Sequence, residues 1–337
     1  MATSEGRELV CVLGPGRSGT STMAGTLAHS GFHVPDAIRG DQTNPSGFFE
    51  PRWVVDFHRD LLELEGVRNL DADPNVLDRL QRFMDDEQVR QRLREWLDKE
   101  LAENPRLVIK DPRMVWFRGL WQLVAQELGV EPTTVIMLRH PAEVSSSRNE
   151  YYNARVVPGV AGWVNVALVA EQLTHGTPRL FVRYHDLTAD WRVEASRFRE
   201  LGVELTPPPD TRPHPVDDFI DPRLARMKPG WEDLEVPGYL QRLGDRTFDA
   251  LGELADHGES DRVGHELESI RQDYARLYAD SLALVNASTS RAQTAAARKA
   301  ARRARAKARR ETSTPSREPG GAATRVRHAI RRRLKRG

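Results

Sequence analysis

The segment that decides the fold is LVCVL-GPGRSGTS, which is Leu9–Leu13 followed by Gly14–Ser21. An apolar run of strand length enters a glycine-rich loop, and a helical pattern then begins near Thr20 and ends at Gly31. Glycines let the backbone turn tightly and point its N–H groups inward, and a helix N-terminus adds free amides with partial positive charge. A strand, loop and helix of this composition predict a binding site for phosphate or sulfate.

The loop follows the Walker frame G-x-x-x-x-G-K-[ST] except at its lysine position, where Thr20 stands. The cation comes three residues earlier, as Arg17. Hydroxyl groups add further donors, at Ser18, Thr20, Ser21 and Thr22. A nucleoside triphosphatase needs the Walker lysine on its phosphates and a carboxylate for magnesium, whereas the second apolar run here leads into Lys110-Asp111. A P-loop kinase that uses ATP and magnesium is one alternative interpretation, and a glycine turn that only joins strand to helix is another.

Short apolar runs alternate with helical patterns along the first 290 residues. Three further runs have strand length: Leu107–Ile109, Val135–Leu138 and Leu180–Val182. Helical patterns cover 114–128, 142–153 and 161–174. This alternation predicts an α/β fold with a central parallel β-sheet flanked by helices. The apolar spacing over 262–286 predicts a long helix that packs one face on this body, and Pro207–Pro215 predicts an extended connector.

The net charge of +1 hides opposite charges in two parts of the chain. Residues 291–337 hold 17 Lys+Arg and 2 Asp+Glu, whereas residues 1–290 hold 33 basic and 47 acidic residues. We therefore predict one domain over 1–290 and a basic low-complexity tail over 291–337, either disordered or helical. Near its end, Val326, Ile330 and Leu334 have the spacing of a short basic amphipathic helix. Such a tail suits an anionic membrane surface or another polyanion, such as nucleic acid or an acidic partner.

Composition narrows the class of protein. The 337 residues suit one large α/β domain, and the single cysteine excludes a disulfide framework and any multi-cysteine zinc site. The sequence contains no run of 18 apolar residues, so we expect no transmembrane segment. The polar first residues MATSEGRE lack the apolar core of a secretory signal. We expect a cytoplasmic protein, which the tail places at the inner membrane face.

The loop and a second motif together resemble the sulfotransferases that use 3′-phosphoadenylyl sulfate (PAPS). In that family a Lys or Arg precedes Ser-Gly-Thr without a Walker lysine, as Arg17 does here. The second family signature is a strand that ends in Arg, with a Ser eight residues later. Arg139 follows the run Val135–Leu138, Pro141 suits a first helical turn, and Ser147 comes eight residues after Arg139. The resemblance implies that the loop binds the 5′-phosphosulfate and that this Arg and Ser bind the 3′-phosphate, which a guanidinium fork suits.

The resemblance also implies a fold, a donor and a set of residues. The fold is the P-loop NTPase-like sulfotransferase fold, with PAPS as co-substrate, 3′,5′-adenosine bisphosphate as product, and no metal. The expected donor-binding residues are Gly16, Arg17, Ser18, Gly19, Thr20, Ser21, Thr22, Arg139 and Ser147. Three further stretches resemble the bacterial branch of the family: Asn44–Glu50 with the following His58, Lys110–Arg113 and Arg183–Leu187.

Sulfuryl transfer to a hydroxyl group needs a base for the acceptor proton. The cytosolic branch places a His two residues after a strand-end Lys, but Lys110 is followed here by Asp111 and Pro112. Golgi-type members instead use a Glu in the segment after the first helix, a region that Glu50 occupies. Apolar rings such as Phe49 beside it are expected to raise the pKa of that carboxyl toward a useful value. Glu50 is therefore the expected base.

Other catalytic and acceptor roles follow from the same resemblance. Arg17 and Lys110 are expected to neutralise charge on the leaving oxygen. His58 and Asp111 are reserve bases, and the acceptor-side residues are Phe49, His58, Asp111 and Arg113. The acceptor is a hydroxyl group, as in a sugar, glycan or glycolipid. The aromatic residues Phe48, Phe49, Trp53 and Trp116 either line an acceptor cleft or belong to the core, whereas Trp163, on an apolar helix, is expected in the core.

One departure from the family pattern limits which residue roles the resemblance implies for this chain. Cytosolic members carry a late Arg-Lys-Gly loop over the nucleotide, and the nearest match here, 226–231, fits poorly. We therefore assign no donor contacts to that segment. A binding protein that acts only through its basic tail is a further alternative.

Overall fold

Four apolar runs form one sheet in the computed structural model, which describes residues 6–220 and 230–312. The strands are β1 (Glu8–Leu13), β2 (Arg106–Lys110), β3 (Thr133–Leu138) and β4 (Arg179–Arg183). They pair in parallel in the order β2-β1-β3-β4, with Val12 opposite Lys110 on one side and Val135 on the other. The predicted α/β fold with a central parallel sheet is confirmed, and each strand extends one or two residues beyond its apolar run.

Helices connect the strands and cover the sheet. Their bounds are α1 (Thr20–Ala28), α2 (Arg52–Glu65), α3 (Val76–Asp85), α4 (Glu87–Glu103), α5 (Arg118–Glu127), α6 (Pro141–Tyr152), α7 (Val156–Thr174), α8 (Tyr184–Ala189), α9 (Trp191–Ser196), α10 (Pro215–Phe219), α11 (Gly238–His257) and α12 (Asp261–Thr312). Short 3₁₀ turns lie at Met114–Phe117, Arg197–Leu201 and Trp231–Asp233. The helical pattern at 114–128 thus begins as a 3₁₀ turn and continues as α5.

The sheet separates two hydrophobic cores. Because successive strand residues point to opposite faces, Leu9, Cys11 and Leu13 of β1 pack in a core with α5, α7 and α11. Val10 and Val12 pack in the other core, with α1 and α8 to α10. Both faces of the sheet are therefore covered. This explains why the strands are continuous apolar runs rather than alternating apolar and polar residues.

The strand order brings the candidate motifs to one edge of the sheet. β1 lies between β2 and β3, so the carboxyl ends of these three parallel strands are neighbours. The glycine-rich loop follows β1, Lys110 ends β2, and Arg139 follows β3. In open parallel sheets, ligands bind in the crevice outside the carboxyl ends of the strands.

Helix α7 is a core helix of this unit. Among the described residues, α7 is the helix whose length and composition would allow it to cross a membrane. However, 61% of this apolar stretch is buried inside the protein. Trp163, at its centre, is only 1% exposed. The prediction that Trp163 belongs to the core is confirmed, and the burial of α7 is typical of the central helix of a globular domain.

The chain forms two compact units, Met1–Tyr278 and Ala279–Gly337. The second unit is described as far as Thr312, and its described residues belong to α12. The Ala/Arg-rich part of the predicted tail is therefore helical here. Val326, Ile330 and Leu334 lie outside the described residues, as does most of the 226–231 segment. The predicted boundary at residue 290 marks a change of charge rather than of packing, and it stays a prediction.

Candidate active site

The loop between β1 and α1 has a backbone that few side chains tolerate. Gly14 and Gly19 have φ values of 138° and 91°, and Arg17 has φ 78°. A Cβ atom on Gly19 would lie 2.3 Å from Cδ2 of Tyr184, so only glycine fits there. A left-handed backbone at a residue such as Arg17 costs of order 1–3 kcal/mol and persists where the surrounding structure enforces it, most often at functional sites.

The loop also holds donors without partners. Ser18 is fully buried, and its Oγ has no hydrogen-bond partner among residues 6–220 and 230–312. An unsatisfied buried hydroxyl costs about 1–3 kcal/mol. α1 begins at Thr20, and its N-cap, Gly19, offers no side chain to the first N–H groups of the helix. A buried hydroxyl beside an uncapped helix N-terminus is an arrangement that suits an anion.

The motif that follows β3, Arg139 with Ser147, contacts this loop directly. Arg17 Nε donates to Ser147 Oγ at 3.1 Å, and Arg139 Nη1 donates to the carbonyl oxygen of Arg17 at 3.2 Å. Pro141 stands at the start of α6, as expected for a first helical turn, and α6 carries Ser147 back toward the loop. The structure therefore brings together residues that the sequence presents in two separate motifs.

Arg139 is oriented by a carboxylate and an aromatic ring. Its Nε donates to Glu143 Oε2 at 2.9 Å, and its guanidinium carbon lies 4.7 Å from the centre of the Tyr184 ring. His185 Nε2 lies 2.9 Å from Glu143 Oε1. Burial raises the pKa of Glu143, but hydrogen bonds from His185 and Arg139 outweigh it and hold that pKa below its usual value. Glu143 is thus an ionised carboxylate that fixes the direction of Arg139.

A second cation enters the loop from β2. Lys110 is 3% exposed, and its Nζ donates to Ser21 Oγ at 3.2 Å and pairs with Glu50 Oε1 at 2.5 Å. Asn44 Nδ2 also donates to Ser21 Oγ, at 3.1 Å. In a nucleoside triphosphatase the hydroxyl at this loop position binds magnesium. Here an ammonium group contacts it, which electrostatically disfavours a second cation at the same oxygen.

Phe49 and Glu50 face different neighbours. Phe49 has φ 53°, a left-handed conformation that is rare for an aromatic residue. Its ring packs edge-on against Phe219, with 5.4 Å between ring centres, and lies 6.5 Å from the ring of His29. This backbone lets the Phe49 ring pack on α1 and α10 while the next residue, Glu50, pairs with Lys110. An acceptor contact of Phe49 stays a prediction.

His58 and Asp111, the reserve bases, form a buried pair. Both side chains are 0% exposed, with His58 Nδ1 lying 2.8 Å from Asp111 Oδ2. Trp121 Nε1 lies 2.9 Å from His58 Nε2. Because an indole N–H only donates, Nε2 accepts and the imidazole hydrogen lies on Nδ1. Both His58 nitrogens are used inside the core, so we assign His58 neither the role of base nor an acceptor contact.

Asp111 positions the Arg113 side chain. Asp111 Oδ1 accepts from the Arg113 backbone N–H at 3.1 Å and from its Nη1 at 2.9 Å. Burial raises the pKa of Asp111, but the hydrogen bond from His58 and the charge of Arg113 outweigh it and lower the pKa. The carboxylate is thus enclosed and engaged by both neighbours. Arg113 keeps 24% of its side chain exposed, next to the end of β2, where it can meet a ligand.

Some residues of the site are not predicted by the sequence reasoning. Glu143 and Arg148 stand on a polar helix face with no pattern that separates them from surface residues. Tyr184 and Asn44, by contrast, lie within stretches that the family resemblance includes. Their roles depend on packing: Tyr184 covers Gly19 and Arg139, and Asn44 reaches Ser21.

We predict that Asp111→Asn lowers the free energy of unfolding by about 2–4 kcal/mol at pH 7. His58 and Arg113 both donate to Asp111, so an amide nitrogen there would face donors and leave one unpaired. Because the folded pKa of Asp111 is lowered, its ionised form stabilises the fold above the usual value of about 4, and this stabilisation is lost as pH falls through the folded pKa. The difference in unfolding free energy between wild type and variant therefore narrows below pH 4.

Urea unfolding at pH 7, 5 and 3 measures this difference. Asp98→Asn is the matched control, because Asp98 is 55% exposed and pairs only at the surface with Arg7. Its effect is expected to stay under about 1 kcal/mol at each pH. The prediction would be contradicted if the loss of unfolding free energy in Asp111→Asn were the same at pH 7 and pH 3.

Comparison with known proteins gives one distant structural match. No protein-family model and no curated protein sequence matches the chain. Among solved structures, the chain is similar to the sulfotransferase domain of the olefin synthase from Synechococcus PCC 7002, with 18% sequence identity and a TM-score of 0.42. The match covers 74% of this chain and 96% of that domain.

Proposed function

We propose that the protein is a sulfotransferase that moves a sulfuryl group from PAPS to a hydroxyl acceptor. The observation that carries the proposal is the contact of Arg17 with Ser147 at a glycine-rich loop that has no Walker lysine. It joins the loop to the Arg139 motif in one cationic site. The loop suits one phosphate, and the nearby guanidinium and hydroxyl suit a second. Together they fit a nucleotide that is phosphorylated at both its 5′ and its 3′ position.

The donor site is formed by three elements. The loop residues from Gly16 to Thr22 offer backbone N–H groups and hydroxyls to the 5′-phosphosulfate. Arg139 and Ser147 serve the 3′-phosphate, with Glu143 and Tyr184 holding the arginine in place. Lys110, at the end of β2, places its ammonium group beside Ser21. These cations are part of the chain, so we propose that binding and transfer need no metal.

The chemistry we propose uses Glu50 as the base. PAPS, when bound, supplies a sulfuryl group that is attached to its 5′-phosphate oxygen. Glu50 accepts the proton of the attacking acceptor hydroxyl, and its ion pair with Lys110 orients the carboxylate at the loop. Lys110 and Arg17 stabilise the negative charge that grows on the leaving phosphate oxygen. Arg113, fixed by Asp111, faces the same edge of the sheet and is the acceptor-side cation.

We propose a carbohydrate-containing acceptor and an anionic membrane surface as partners. Within the second unit, Arg291, Arg298 and Arg302 are spaced by seven and four residues, so they share one helix face. Leu284 and Val285, earlier in the same unit, are 71% and 59% exposed. Basic residues together with exposed apolar ones suit a lipid interface, where acyl chains and anionic headgroups meet. The enzyme then acts in the cytoplasm at the inner membrane face.

Calorimetric titration with 3′,5′-adenosine bisphosphate tests the donor site. We expect metal-independent binding with a micromolar Kd, because Arg139 and Ser147 bind the 3′-phosphate and the loop binds the 5′-phosphate. ADP, which lacks that phosphate, is expected to bind at least about tenfold more weakly. ATP that binds only with magnesium would contradict the proposal and favour a P-loop kinase. No binding of any nucleotide would favour a protein that acts through its tail.

We predict that Glu50→Gln keeps bisphosphate binding within about threefold and lowers turnover by at least about 100-fold. The amide keeps the shape of the side chain but no longer accepts the acceptor proton. Turnover is measured as bisphosphate released from PAPS in the presence of sugar, glycan and glycolipid acceptors. Glu63→Gln, at an exposed position of α2, is the matched control and is expected to behave as wild type. Unchanged turnover of Glu50→Gln would remove Glu50 from the mechanism.

Vesicle partition tests the membrane surface in the full-length protein. We predict that the triple variant R291Q/R298Q/R302Q binds phosphatidylserine-containing vesicles roughly 100-fold more weakly, since each basic residue near the surface contributes about 1 kcal/mol. The control R199Q/R262Q/R276Q removes the same charge from exposed positions of the first unit. Equal losses for both triple variants would contradict the proposal. Equal binding to phosphatidylcholine vesicles, or retention on duplex DNA instead of vesicles, would do so as well.

A further inference from the structure

The guanidinium of Arg148, the residue after Ser147 on α6, has no ion-pair partner among the residues that the structure describes. Its Nε is buried, and no group accepts a hydrogen bond from that atom within the described ranges 6–220 and 230–312. Within the same ranges no carboxylate lies within ion-pair distance of it, whereas Arg139 on the same segment pairs with Glu143. Arginine is seldom taken out of water without an anion beside it, because its desolvation is costly.

The guanidinium of Arg148 lies against the glycine-rich loop. A Cβ atom on Gly16 would come within 3.4 Å of Arg148 Nη1 and within 3.9 Å of the Pro112 ring. Burial lowers the pKa of Arg148, and the positive charge of Arg17 lowers it further against an opposing effect of Tyr152. The Arg148 guanidinium therefore lies beside the glycine-rich loop, where the positive charge of Arg17 acts on it.

Two of the four cations around the loop and α6 form ion pairs with carboxylates of the described residues, and two do not. Lys110 pairs with Glu50, and Arg139 pairs with Glu143. Arg17 donates to Ser147 Oγ and to the carbonyl oxygen of Thr43, both uncharged, and Arg148 pairs with no carboxylate in the described part of the chain. Two like charges in a partly desolvated site repel each other unless an anion lies between them. The group that fits carries two negative charges, as a phosphomonoester does.

We propose that Arg148 binds the same phosphate as Ser147 and makes the site selective for a nucleotide with a dianionic phosphate at that position. This inference rests on the proposed function, in which that phosphate is the 3′-phosphate of the donor. Arg148 then supplies a second guanidinium fork in addition to that of Arg139, and the bound phosphate is the partner that its buried Nε lacks.

Titration of the full-length protein with two nucleotides tests the assignment. The probes are 3′,5′-adenosine bisphosphate and adenosine 5′-monophosphate, in metal-free buffer. We expect R148Q to weaken bisphosphate binding by roughly 10- to 100-fold and monophosphate binding by no more than about threefold. R155Q removes the same charge from an exposed position of the same segment and is expected to leave both affinities unchanged. R148K is expected to recover part of the loss, since it restores the charge without the fork.

Thermal unfolding of the ligand-free protein separates a binding role from a structural one. A guanidinium that makes no ion pair with the described residues and has a buried, unpartnered Nε does not stabilise the fold, so R148Q is expected to have a Tm equal to or above that of the wild type. A lower Tm with unchanged bisphosphate affinity would overturn the inference, as would an equal loss for both nucleotides. If wild type binds the bisphosphate and R148Q binds it equally well, this inference alone fails. If wild type binds neither nucleotide, the proposed function fails, and the inference with it.

Discussion

The site depends on β1 and β3 being neighbours in a parallel sheet. That pairing places the loop after β1 beside the start of α6, so Arg17 reaches Ser147 across 130 residues of sequence. β2 on the other side of β1 brings Lys110 to the same edge. Because parallel strands end on the same side, one hydrogen-bonded ladder sets the positions of all these cations. A different strand order would leave each motif a surface loop with little chemistry of its own.

The same arrangement is unfavourable without a ligand. Ser18 has a buried hydroxyl without a partner among the described residues, Arg17 adopts a left-handed backbone, and Arg148 has a buried Nε that no group in that part of the chain accepts from. Each of these features costs on the order of 1 kcal/mol or more. The two cores packed on both faces of the sheet tolerate this cost. A site built in this way is preorganised, because binding an anion requires little rearrangement of the groups that contact it.

Much of the fold and part of the site could be predicted from the sequence. Strands that are buried on both faces give continuous apolar runs, and glycine loops and strand-end cations have short local patterns; the loop and Arg139 were recognisable for this reason. His58 shows where such reasoning stops. It lies on an amphipathic helix, and only the packing of α2 against α5 and against the end of β2 shows that Trp121 and Asp111 occupy both of its nitrogens. Burial and the choice of hydrogen-bond partners are set by the tertiary structure. A list of polar residues near a motif therefore does not separate a catalytic base from a residue that only positions its neighbours.

The displaced lysine explains how this loop differs from that of a nucleoside triphosphatase. A Walker lysine comes from the loop itself, and the hydroxyl beside it binds magnesium. Here Thr20 takes the lysine position, and Lys110 arrives from the neighbouring strand to contact Ser21 instead. The ammonium group of Lys110 thus lies where a metal ion would otherwise bring its charge, and Glu50 is tied to it. In the proposed mechanism, moving one cation from loop to strand therefore couples the charge that a leaving phosphate needs to the carboxylate that takes the acceptor proton.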